Sequence, residues 1–108
     1  LGPFDPNRKF ALTQLAHIAR RRGDYESAID LSIRSHAVNQ GLTATYWNLI
    51  SCNALLGRMP AARRFLSMYE TVTPGMTIAR VKSAQSIGDP KFLAPLLEGL
   101  WLAGMPEQ

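Results

Sequence analysis

Two histidines, one cysteine and eight carboxylates are the side chains of this 108-residue chain with obvious catalytic or metal-binding chemistry. His17 and His36 have no Cys or His partner at the short spacings metal sites use, so they read as ordinary groove or surface histidines. Cys52 stands alone, which excludes an internal disulfide, favours a reducing compartment and suits a small buried hydrophobe. Asp24, Glu26 and Asp30 open a helix, where negative charge meets the N-terminal dipole without any acid–base role. The run Arg20-Arg21-Arg22 closes another helix and complements its C-terminal dipole, which reads as a solvated face. A phosphate-contacting patch is the sharper alternative for that run, and no aromatic interleaving or recognition-helix pattern supports it. Glycine-rich phosphate loops and Ser-x-x-Lys or Gly-x-Ser-x-Gly nucleophile motifs are absent from the sequence. The expectation is a non-catalytic chain with no cofactor and no metal.

What positions these residues follows from composition and period. A hydrophobic content of 46% suffices for a core, and 19% charged with 8% aromatic residues is no profile of a disordered tail. Net charge is +4, too mild to imply nucleic acid. The longest apolar stretch, Phe92 to Met105, is broken by Pro95 and Glu98 and falls short of the roughly 18 residues a membrane span needs. The chain starts at Leu1, so it reads as a piece of a longer protein, cytoplasmic in setting.

Leu12, Leu15, Ala16 and Ala19 recur at i, i+3, i+4 and i+7, one face of a helix. Ala62, Phe65, Leu66 and Tyr69 repeat the pattern, as do Leu93, Leu96, Leu97 and Leu100. The spacing predicts helices over 8–22, 25–39, 44–56, 60–72, 77–87 and 90–103, and an all-α fold. Thr43 is an expected N-cap, Pro60 a first-turn proline, and Asp89-Pro90 a cap followed by proline. Pro95 is expected to kink the last helix or delay its start. Asn53 lies on a core-facing stripe and needs a partner, for which a neighbouring backbone group is expected.

Sliding the sequence along itself until Leu12 meets Tyr46 also brings Leu15 onto Leu49, Gly23 onto Gly57, Ala28 onto Ala62 and Gly41 onto Gly75. Gly23 and Gly57 suit a chain leaving a helix with positive φ, and Ala28 and Ala62 the close contact of two helices. In the first unit, 9–42, the series continues through Ala16, Ala19 and Tyr25, with Ser32 and Gln40 at positions that carry an aromatic and a proline in the parent pattern. In the second, 43–76, it runs Tyr46, Leu49, Ile50, Asn53, Gly57, Ala62, Leu66 and Pro74. The shared offset, roughly 34 residues, and the landmarks together resemble the tetratricopeptide repeat (TPR), a pair of helices per repeat.

That resemblance implies a TPR-like α-solenoid of about two and a half helix-turn-helix repeats with a C-terminal capping helix. Residues 1–8 would be the tail of a preceding repeat, 9–42 and 43–76 two full repeats, and 77–108 a degenerate third unit and cap. An uncovered outer face on the first pair would make the isolated chain prone to self-association. The tail, Thr77-Ile78-Ala79-Arg80, Asp89-Pro90, Leu97-Glu98-Gly99-Leu100 and Ala103-Gly104-Met105-Pro106-Glu107, is similar to the end of TPR regions behind bacterial class III adenylate or guanylate cyclase domains or winged-helix regulators.

In such arrays the first helix of each pair lines a concave groove. The resemblance carries that role to Phe10, Thr13, His17, Arg20 and Arg21, to Trp47, Asn48, Ser51 and Leu55, and to Ile78, Val81 and Gln85. An aromatic-aliphatic floor with one basic corner would suit an amphipathic helix or a peptide with an acidic group. Three functions are expected in descending order. The first is a protein-interaction module that binds a protein or peptide partner, or another domain of its own chain. The second is a homodimerising cap that pairs upstream domains, and the third nucleic-acid binding through the arginines.

Overall fold

A computed structural model describes residues 8–38, 43–84 and 90–108, leaving the side chains of residues 8–10 and of Pro90 outside the description. The helices are α1 (Arg8–Arg21), α2 (Tyr25–Val38), α3 (Ala44–Leu55), α4 (Met59–Val72), α5 (Ile78–Ala84) and α6 (Pro90–Ala103), and no strand occurs among the described residues. The fold is all-α. The expectations for residues 1–7, Gln40, Gly41, Gln85 and Asp89 lie outside the described residues.

The turns ending α1 and α3 are copies of one another. Gly23 and Gly57 both have φ +80°. The Gly23 amide donates to the Arg20 carbonyl at 2.9 Å and the Asp24 amide to Ala19 at 2.9 Å. At the end of α3, the Gly57 amide donates to Ala54 at 3.0 Å and the Arg58 amide to Asn53 at 2.8 Å. These bonds satisfy carbonyls that a helix C-terminus leaves orphaned, and they need a residue without a Cβ penalty in the left-handed region. In the following helices Ala28 and Ala62 are both fully buried.

The caps do not follow the repeat so closely. Thr43 has helical angles, φ −64° and ψ −30°, and makes no side-chain cap bond, which corrects the N-cap expectation. A capping hydroxyl works from an extended residue, and Thr43 is already wound into the turn. Thr77, at the same place in the next unit, does cap: its Oγ1 accepts the Arg80 amide at 3.2 Å. Ahead of α2, Asp24 Oδ1 accepts the Ser27 amide at 3.2 Å, whereas Arg58 at the matching place has no acceptor and makes no cap. Pro60 falls in the first turn of α4 as expected. Pro95 neither delays nor shortens α6; it lies inside the helix.

α3 sits at the centre. Every residue from Thr45 to Ala54 is buried, because α2, α4 and α6 all pack on it and α1 touches it as well. The main core joins Tyr46, Trp47, Ile50 and Ala54 of α3 to Leu66 and Tyr69 of α4, Val81 of α5 and Leu96, Leu100 and Ala103 of α6. A second cluster packs Leu49 and Cys52 of α3 onto Ala28 and Ile29 of α2. The C-terminal tail is tied down too: the Ile78 and Ala79 amides donate to the Pro106 and Glu107 carbonyls at 2.9 and 3.0 Å, so the tail caps α5. The radius of gyration is 13.1 Å, that of a globule of about this length rather than of an open superhelix.

Candidate functional site

The face of α3 that the repeat pattern assigns to the groove carries Trp47, Asn48 and Ser51, and α6 lies across it. The approach is close enough that a Cβ on Gly99 would stand 2.6 Å from the Ser51 carbonyl oxygen and 2.7 Å from its Cα. Glycine is what lets the two backbones touch. Asn48 and Ser51 are fully buried, and Trp47 is 8% exposed. Ser51 Oγ turns back to donate to the Trp47 carbonyl at 2.6 Å, leaving a smooth surface for Gly99. Trp47 Nε1 donates to the Tyr69 hydroxyl at 2.9 Å. Tyr69 stacks at a tilt on Tyr46, centroids 5.5 Å apart, and Tyr46 takes the edge of His36 at 5.2 Å.

A chain of polar side chains runs from α1 through α3 to α6. Arg20 Nε donates to Asn48 Oδ1 at 2.8 Å. Since a guanidinium can only donate, the amide nitrogen of Asn48 is turned to His17, donating to its Nδ1 at 3.2 Å. His17 is thereby held as a neutral ring with its proton on Nε2. Burial, then the charge of Arg20, pushes its pKa from 6.5 down to about 4. An Arg20 terminal nitrogen reaches the Phe92 carbonyl of α6 at 3.5 Å. Arg20 is 8% exposed, so the arginine run is not uniformly solvated: Arg21 and Arg22 are exposed, and Arg20 folds inward because Asn48 and Phe92 offer it acceptors. Burial lowers its pKa as well.

The remaining expected groove residues scatter. Thr13 is buried where α1, α2 and α3 meet, its Oγ1 2.7 Å from Ser35 Oγ and 3.5 Å from Thr45 Oγ1. Val81 is fully buried, while Leu55 and Ile78 are half-buried, Ile78 against the main core. The Phe10 side chain and Gln85 lie outside the described residues. Asn53 finds the backbone partner expected of it, donating to the Leu49 carbonyl at 2.7 Å. Within α6, Leu96 and Leu100 are buried while Trp101 is 55% exposed.

The positions that build this site and escaped the sequence reading are Gly99 and Phe92. A signal for them existed: α3 contains no charged residue, and a helix without a charged face is covered on all sides. Burial raises the Cys52 thiol to about 11, so it is no thiolate at neutral pH. Among the described residues no three His, Cys, Asp or Glu side chains stand together to hold a metal ion, and no helix is long and apolar enough to cross a membrane. No family model, curated protein or solved structure matches the chain.

Proposed function

We propose that the chain is a non-catalytic protein-interaction module of the TPR type, the C-terminal repeat region of a bacterial signalling or regulatory protein of the adenylate cyclase kind, working in the cytoplasm. The observation that carries this reading is α6 seated on α3. A charge-free helix face that holds another helix at backbone contact is a helix-in-groove site, filled here by the chain's own segment. The copied turns at Gly23 and Gly57 support the repeat reading. A partner helix would engage Trp47, Asn48 and Ser51 by taking the place of α6. The test is the full chain carrying Gly99→Val, titrated with a synthetic peptide of residues 90–106. The variant cannot seat its own α6, so it should remain folded in α1–α4 and bind the peptide saturably where the wild type does not. Global unfolding of the variant, or a folded variant blind to the peptide, would contradict the reading.

A second reading, a homo-oligomerising cap that pairs upstream domains, rests on α1. Leu15 and Ile18 are 50% and 44% exposed. Their counterparts in the second unit, Leu49 and Cys52, are fully buried against α2. The same face is thus covered by a helix in the second hairpin and open to solvent among the described residues of the first. A second copy of the chain can cover it. Sedimentation separates the readings: the cap requires a dimer that Leu15→Lys dissolves and that Gly99→Val leaves intact.

A further inference from the structure

A cleft of about 200 Å³ opens between the α1–α2 turn and the first half of α6, and its walls include Arg20, Arg21, Arg22, Tyr25, Lys91 and Phe92. Among the described residues no acidic side chain lines it. Arg20 reaches it from below, 8% exposed and fixed at one edge by Asn48 Oδ1 and at the other by the Phe92 carbonyl. Among the described residues no carboxylate pairs with any of the three arginines. Arg21 lies over the Phe92 ring at 5.7 Å, which holds it at the rim.

The fold does not require this charge. The matching turn of the second unit carries Ala54-Leu55-Leu56 in place of Arg20-Arg21-Arg22, with the same glycine, the same φ and the same hydrogen bonds. Nor are the arginines needed to satisfy the end of α1, since the amides of Arg22, Gly23 and Asp24 already take its last carbonyls. A buried guanidinium is costly without a counter-charge. Asp24, the nearest carboxylate in sequence, is turned away to cap α2.

We propose that this cleft binds the phosphate group of a small phosphate-bearing molecule, with Arg20 at the floor and Arg21 and Arg22 at the rim. Three guanidiniums on one small opening match a dianion with three acceptor oxygens, and a planar fork bonds such oxygens two at a time. A bound phosphate would bridge the α1–α2 turn to α6. It would therefore clamp α6 over α3 and favour the closed groove, although the site stands whether or not that groove serves a partner.

The test uses the full chain and inorganic phosphate at fixed ionic strength, followed by nitrogen–proton NMR. The Gly23 amide and the Arg20 Nε–H signal should shift saturably. Acetate should bind at least tenfold more weakly. Arg21→Ala and Arg22→Ala, both on exposed side chains, should each weaken phosphate roughly tenfold, and Arg34→Ala on α2 should change nothing. Phosphate should also raise the midpoint of thermal unfolding in the wild type more than in Arg22→Ala. Shifts that fail to saturate, that acetate matches, or that persist in both rim variants overturn the proposal.

Discussion

Ser32 is a weak point at the scale of a single atom. It is fully buried in α2, and its Oγ has no hydrogen-bond partner among the described residues. The hydroxyl stands where the repeat pattern has an aromatic, and the matching residue of the second unit is Leu66. A buried hydroxyl without a partner costs roughly 1–3 kcal/mol, so Ser32→Ala should stabilise the chain by about 1 kcal/mol in urea unfolding. His17 makes the opposite kind of prediction. Its folded pKa of about 4 lies below the unfolded value near 6.5, so the unfolded chain takes up the proton first as pH falls. Stability held at pH 7 is then lost between about pH 6.5 and 4, by up to about 3 kcal/mol. Unfolding curves at pH 7 and pH 4.5 should diverge in the wild type and run closer in His17→Gln; equal slopes would refute the assignment. Gly23 and Gly57 both have open space where a Cβ would go, so replacing either by Ala exposes only backbone strain. Each should lose about 1–2 kcal/mol, and the two losses should agree, because the turns do.

At the scale of helices, the ends and periods were legible and the partners were not. Expected bounds of 25–39 and 90–103 meet Tyr25–Val38 and Pro90–Ala103, since glycine punctuation and 3.6-residue spacing are local signals. Which helix covers which is decided by the sum of distant surfaces. A groove on α3 needs a free side, yet the helix's lack of charge already speaks for burial all round. Trp101 and Leu96 look alike in an apolar count, and only the docking of α6 turns one outward and the other inward. Gly99 is the pivot of that docking. Gly99→Ala should cost about 2 kcal/mol or more, as overpacking does when the neighbour is backbone and cannot swing aside. At α5, a seven-residue helix held by Thr77 and the tail carbonyls, Thr77→Ala should cost about 1 kcal/mol and fray that helix first in hydrogen exchange.

For the whole molecule, two hairpins of one design have different fates. The second is wrapped by α2, α6 and the tail; the first keeps Leu15 and Ile18 in the open. That contrast predicts concentration-dependent sedimentation of the wild type, shifted toward monomer by Leu15→Lys with no loss of helix content. A strictly monomeric wild type would leave the oligomer reading without support. It would not touch the central claim, that α6 fills the face on α3 that a groove would use. Proton NMR of the full chain tests that claim most directly. Gly99 Hα and Ser51 Hα belong to backbones in contact, so a strong cross-peak between them is predicted, together with slow exchange of the Asn48 and Ser51 amides. A Gly99 signal that meets only its own helix, with Ser51 exchanging as fast as an exposed helix residue, would contradict it.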